Sequence, residues 1–159
     1  MLNEFRKELL TKATIRELIT YDPISGKAYW NRRDAKWFAR EKDYKGWNAR
    51  FPGREIASTK DTGYIQCWCV GNHYPLHHLI WLYMTGEWPN CIDHINGVRT
   101  DNRWGNLRNV TIQENGKNTK LRSDNKSGYH GVSWYKSRNK WMVRVNIDGV
   151  SKHSAILKH

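Results

Sequence analysis

The segment running from Cys91 to Asn118, CIDHINGVRTDNRWGNLRNVTIQENGKN, restricts the fold more than any other part of the chain. Asparagine suits the interior of neither a helix nor a strand, so regular structure is confined to its edges. "CIDH" and "NLRNV" read as two short strands flanking a long turn, "INGVRTDNRWG". Thr111-x-x-Glu114 is a capping box, which predicts a helix from Ile112. The order is strand, long loop, strand, helix. Asp, Asn and Gly gather in turns because they bond locally and tolerate left-handed backbone, so composition alone allows a plain solvated loop. The alternative is that the asparagines hold something in place.

The residue types in this segment suit one particular chemistry. Asp93 and the Asn115 amide offer oxygen ligands, which favour Mg²⁺, or Mn²⁺ in its place, with open positions for water and phosphate. Such an ion stabilises charge developing on a phosphodiester. His94, with an ordinary pKa of about 6.5, can accept a proton from water near neutral pH once its other ring nitrogen is fixed by a carbonyl or amide oxygen. Asn106 is a candidate for that duty, or for pinning the loop by bonding to backbone. Asn96 and Asn102 read as turn-formers. In a strand the adjacent Asp93 and His94 point to opposite faces unless a bend brings them together.

Zinc is disfavoured. Cys67-x-Cys69, with Cys91 and His94, lacks the second close pair that zinc sites use, and the thiols read instead as reduced groups on the buried face of a strand. Three cysteines without a regular framework, no signal peptide and no long apolar run point to a reducing, intracellular setting without membrane insertion.

Elsewhere, "NEFRKELLTKATIRELITYDPISG" has helical periodicity, with Thr14-x-x-Glu17 as its capping box and a turn at Asp22-Pro23 and Gly26 before a brief strand, "KAYW". The basic, Trp-bearing run from Asn31 to Phe51 has no period and reads as an irregular connection. "GYIQCWCVGNHYPL" predicts a hairpin broken at Gly71-Asn72, and "HHLIWLYMTG" a short buried helix ending at Gly86. After a linker at 122–127, "YHGVSWYKSRNKWMVRVNIDGVSKHSAI" reads as three strands. In the middle one Trp141, Val143, Val145 and Ile147 share one face, and Met142, Arg144 and Asn146 the other.

The motifs "DPISGKAYW", "TGYIQC", "HHLIWLYMTGEWP" and "IDHINGVRTDNRWGNLRNVTIQENGKN", in that order, resemble the HNH endonuclease family, in particular its phage and homing-type branch. The resemblance runs from Tyr21 to Asn118. It implies a ββα-metal fold gripping one divalent ion, with Asp93 and Asn115 as metal ligands, His94 as general base and Asn106 bracing the loop. The implied reaction is hydrolysis of a DNA phosphodiester to 5′-phosphate and 3′-hydroxyl ends. His77 falls on the family's recurrent "HR" histidine, while His78 replaces the usual Arg. Asn118 is either an assistant or a solvated helix position. From Ser127 the tail resembles the first strands of the ethylene-response-factor type DNA-binding domain. That likeness implies a sheet lying in the major groove, with Lys136, Arg138, Arg144 and Trp134 as contacts. It also implies a helix packed behind the sheet. No such helix follows within the sequence, so the apolar face needs another cover.

Charge agrees with a polyanionic partner. The chain has 27 basic and 15 acidic residues, a net of +12, and twelve of the basic residues lie from Asp101 onward against four acidic ones. A mean hydropathy of -0.85 is polar for a globular protein, so the core leans on aromatics, which nine Trp and eight Tyr supply. The expected organisation is α+β: an HNH nuclease domain over 1–121 with its ββα-metal core at about 91–120, then a partial three-stranded sheet over 128–159. The expected function is a divalent-metal-dependent endonuclease acting on double-stranded DNA as a monomer or weak dimer. A non-catalytic DNA-binding protein using the metal loop as a clip is the alternative, and RNA cleavage would use the same residues.

Overall fold

The computed structural model describes residues 9–111, 113–114, 121 and 123–144, with the backbone of 145–147 and 150–157. Small antiparallel sheets and short helices make a mixed α and β chain. It divides into two compact units, Met1–Asn115 and Gly116–His159. Among the described residues no helix is long and apolar enough to cross a membrane.

Helix α1 spans Lys12–Leu18 and is capped by Thr11, whose hydroxyl accepts from the Thr14 amide at 3.2 Å. The predicted capping box is therefore displaced by one turn. Thr14 lies inside the helix, and Glu17 is spent elsewhere, accepting from Lys36 Nζ and Trp37 Nε1, each at 2.9 Å. Strands β1 (Ile19–Tyr21) and β2 (Ala28–Trp30) form the first hairpin. Its turn is tied by Asp22, whose carboxylate accepts from the Ile24 amide at 2.9 Å and the Ser25 hydroxyl at 2.6 Å.

The run from Asn31 to Phe51 is not irregular as expected. It contains a 3-10 turn at Ala35–Trp37 and helix α2, Glu41–Arg50. The periodicity was invisible because α2 has no buried residue, so nothing selects an apolar stripe. It attaches instead through aromatic contacts: Trp47 stacks on Phe51 at 4.2 Å and meets Trp30 edge-on at 5.2 Å. The guanidinium of Arg33 lies 3.7 Å from the Trp47 ring centre, a cation–π contact strengthened by burial.

Strands β3 (Gln66–Cys69) and β4 (Asn72–Pro75) pair antiparallel. The turn residues are Val70 and Gly71, both at positive φ, one position earlier than predicted; the β-branched Val70 gave no turn signal. Cys67 and Cys69 are fully buried on one face of β3, where the hydrogen bond with the Cys69 thiol, and then burial, push Cys67 well above the ordinary thiol range. Helix α3 (Leu76–Thr85) follows at once, as expected, and stops at Gly86. It is the central core element, burying Leu76, Leu79, Ile80 and Leu82 against Ile15, Leu18, Ile19, Ile92 and Leu107. Two α1 side chains bond to its last-turn carbonyls, Lys12 to Met84 O at 2.8 Å and Arg16 to Tyr83 O at 3.2 Å, satisfying groups that a helix end leaves unpaired.

Strands β5 (Cys91–His94) and β6 (Leu107–Val110) complete the first unit. Beyond β6 the capping box is formed reciprocally. Glu114 N–H donates to Thr111 Oγ1 at 3.2 Å, and Thr111 N–H to the Glu114 carboxylate at 2.8 Å. Residues 113–114 are helical.

The second unit is a three-stranded antiparallel sheet of β7 (Val132–Tyr135), β8 (Lys140–Ile147) and β9 (Val150–Leu157), in the order β7-β8-β9. Residues read as a linker are bound into it: Asn125 Oδ1 accepts from Ser127 and Gly128 amides at 2.9 Å, and Ser127 Oγ donates to Val132 O at 3.0 Å.

Candidate active site

The 12 residues between β5 and β6 are folded around Asn106. Its Oδ1 accepts from Asn96 N–H at 3.0 Å, and its Nδ2 donates to Asn96 Oδ1 at 3.0 Å and to Asp101 O at 2.7 Å. Asn96 in turn donates to Asp101 Oδ2 at 2.6 Å. Arg103 grips the same carboxylate through Nε at 2.8 Å and Nη2 at 2.6 Å. The Arg103 guanidinium, aided by the Arg103 amide and Asn96, holds Asp101 well below the usual carboxylate range against the opposing effect of burial. All of these Asn106 bonds run to Asn96 and Asp101 within the loop.

The asparagine that meets a His94 ring nitrogen is Asn102, read from sequence only as a turn-former. Asn102 is 1% exposed, and its Oδ1 lies 3.0 Å from Nε2 of the buried His94. An amide oxygen can only accept, so Nε2 is the ring nitrogen that donates to Asn102, and Nδ1 is not engaged by this bond. Asn102 is itself fixed from outside the hairpin. Tyr21 donates its hydroxyl to Asn102 O at 2.7 Å, and Trp104 N–H donates to Pro23 O at 3.0 Å. Burial pushes the Tyr21 phenol up out of its ordinary range, keeping it a donor. Gly26, at φ +76°, touches the same loop: a Cβ there would overlap the Arg103 amide nitrogen and lie 2.7 Å from the Asn102 carbonyl carbon. The "DPISG" turn is thus a buttress for Asn102. Only contacts more than seventy residues apart in sequence reveal it.

One side of the His94 ring is walled by aromatics. His77 meets it edge-on at 5.1 Å, and Tyr64 lies 5.8 Å away. His77 also contacts Tyr64 at 4.8 Å and His78 at 4.7 Å. Burial, with the charges of His78 and His94, lowers His77 to a pKa of about 3, so it is neutral at physiological pH. The Arg99 guanidinium lies over the Tyr64 ring, 5.1 Å from its centre.

Asp93 alternates with His94 along β5, half-buried where His94 is buried, and pairs across the hairpin with Arg108. Arg108 Nε and Nη2 both bond to Asp93 Oδ2, at 2.9 and 2.6 Å. The donor chemistry of Asp93 fits a hard divalent ion, since its carboxylate supplies oxygen; a cation bound there would compete with Arg108 for it. Asn115 and Asn118 lie outside the described residues. Among the described residues no group of three or more His, Cys, Asp and Glu side chains is placed to hold a metal ion.

The four tail residues expected to contact DNA do not share one face. Trp134 lies opposite Trp141 in the β7–β8 register, their rings 5.1 Å apart and edge-on, so it belongs to the apolar face that also carries Val132 and Val143. Arg144 alternates to the other face of β8. Lys136 and Arg138 sit in the 3-10 turn between these strands.

Comparison with known proteins bears on the segment that holds this loop. Residues 74–117 match the family model of HNH endonucleases. The match takes in α3 with His77, the β5–β6 hairpin, and Asp93, His94, Asn102, Asn106 and Asn115. Protein 3.8 of Escherichia phage T7 is 36% identical over 78 residues, 47% of this chain and 64% of that protein's length. No solved structure matches the chain at a significant level.

Proposed function

We propose that the chain is a divalent-metal-dependent DNA endonuclease in which His94 is the general base. The observation that carries this reading is the buried His94, held through Nε2 by Asn102 inside the segment that matches the HNH endonuclease model. With Nε2 protonated, Nδ1 takes a proton from water as the water oxygen bonds to phosphorus and the P–O3′ bond breaks. A 5′-phosphate and a 3′-hydroxyl remain, the 3′-oxygen taking its proton from solvent. Asn102 is a positioning residue: it fixes the tautomer and prevents ring rotation. Asn106 keeps the loop closed, and His77, neutral at working pH, excludes water from one side of the imidazole without adding charge.

Asp93, with Asn115, would hold one Mg²⁺ or Mn²⁺. The bound ion would stabilise negative charge on the phosphate and the departing oxygen. With Asp93 holding the ion, Arg108 would be free to bond a phosphate instead. One site per chain cuts one strand, so a monomer nicks and a double-strand break needs two events. The basic C-terminal sheet, carrying Lys136, Arg138 and Arg144, is read as a duplex-contacting unit.

The test is cleavage of supercoiled plasmid with Mg²⁺, Mn²⁺ or EDTA, scored for open-circular against linear product. Cutting should need the ion and vanish in His94→Ala with the circular dichroism spectrum unchanged. Metal-dependent cutting that persists in a clean His94→Ala preparation would remove this mechanism. Salt-sensitive duplex binding with no cleavage under any divalent ion would favour a non-catalytic DNA-binding protein.

A further inference from the structure

The outer face of the β3–β4 hairpin carries a second site that the catalytic reading does not use. Cys67, Cys69 and Tyr74 turn into the core, which leaves Trp68 and His73, directly opposite one another, on the outside. Trp68 is 50% exposed, a large apolar area to leave in water. It meets His73 edge-on at 4.6 Å. The two rings edge a cleft of about 310 Å³, whose other walls include Trp30, Phe51, Arg54 and Lys60. None of these residues touches His94 or Asp93 through any bond or ring contact described above.

The cleft is built to receive a flat apolar ring beside negative charge. Trp30 and Phe51 are already fixed by their contacts with Trp47, so the aromatic floor needs no ordering when a ligand arrives. The rim is cationic. Its one carboxylate, Glu55, is paired with Lys27 at 3.0 Å, whereas Arg54 and Lys60 have no side-chain hydrogen bond or ion pair among the described residues. The volume lies at the small end of ligand clefts, which suits one ring system. A base inside a duplex exposes only its edge and cannot stack in such a cleft, but an unpaired base offers its whole face, flanked by phosphates that Arg54 and Lys60 can reach. We infer that the Trp68–His73 cleft binds an unpaired nucleobase of single-stranded DNA.

This inference goes beyond the endonuclease reading and is tested in EDTA, where no cleavage occurs, so either can fail without the other. The probe is a fluorescently labelled mixed-sequence 12-nucleotide single strand, titrated with the full chain by anisotropy, with a blunt-ended duplex of that strand and its complement as control. Trp68→Ala should weaken single-strand binding about tenfold, the usual effect of losing one stacking platform. Trp68→Phe should restore most of it, and Lys60→Ala should lower the slope of log affinity against log salt by about 0.7. Duplex binding should change less than twofold in all three variants. Trp68 is half in water, so melting temperatures should stay near wild type. Single-strand affinity of Trp68→Ala equal to wild type would overturn the inference, as would an equal loss on the duplex.

Discussion

Replacing Gly26 by Ala tests whether a turn seventy-six residues before Asn102 positions the β5–β6 loop. Two costs are separable. The first is conformational: Gly26 has φ +76°, and an alanine there costs about 1 kcal/mol. The second is steric. An added Cβ would lie 2.7 Å from the Asn102 carbonyl carbon and overlap the Arg103 amide, where carbon atoms ordinarily rest about 3.5 Å apart or more. Both obstacles are backbone, so no side chain can swing away, and the loop must retreat by something on the order of 1 Å at a cost of about 1–3 kcal/mol. Gly53 supplies the control, because its φ of +77° is almost the same and nothing lies within 4 Å of its added Cβ. In urea denaturation Gly53→Ala should lose about 1 kcal/mol, and Gly26→Ala about 2–4 kcal/mol. A misplacement of about 1 Å near reacting groups costs on the order of a hundredfold in rate. Plasmid nicking by Gly26→Ala should therefore fall by about that factor under conditions where both variants remain folded, while Gly53→Ala keeps its rate. Equal stability losses in the two variants, with equal nicking rates, would refute the buttress.

Other outcomes follow from the same geometry. Asn106→Ala removes three side-chain hydrogen bonds and should cost about 3 kcal/mol by chemical denaturation. Asn102→Ala should cost less stability, yet lower nicking about a hundredfold or more by freeing the His94 tautomer. His77 is neutral in the folded chain down to about pH 3 but binds a proton near 6.5 when unfolded. Unfolding therefore takes up a proton between these values, and stability should fall as pH drops, by up to about 1.4 kcal/mol per unit. Tyr64, His78 and His94 face this ring. Urea titrations from pH 7.5 to 4.5 should show that slope, and His77→Gln should flatten it. In the second unit, Trp134→Ala should lower the melting temperature by removing its cross-strand contact with Trp141. Arg144→Ala should leave melting unchanged while weakening duplex binding, with a shallower salt slope by about 0.9.

Much of this molecule is written locally. The β5–β6 hairpin, its long loop, the Thr111–Glu114 box, the buried α3 and the three-stranded sheet all follow from periodicity, caps and turn residues, each set by interactions within a few positions. Helix α2 escaped because a helix held by surface aromatics rather than a buried stripe has no apolar period to read. The Val70-Gly71 turn escaped because a β-branched residue in left-handed backbone goes against local preference and persists only where the surrounding strands impose it.

At the site, residue types alone pointed to His94 as base and Asp93 as a hard-ion ligand, since few other side chains can move protons near neutral pH or bind such ions. Which asparagine does what was beyond their reach, because Asn96, Asn102 and Asn106 share one chemistry and differ only in what lies beside them. Tertiary structure distributes those duties. Asn106 closes the loop on itself, and Asn102, pressed into place by Tyr21 and the Gly26 turn from the other end of the first unit, turns its oxygen to His94. Direction in space, which sequence spacing does not encode across so long a separation, decides the difference.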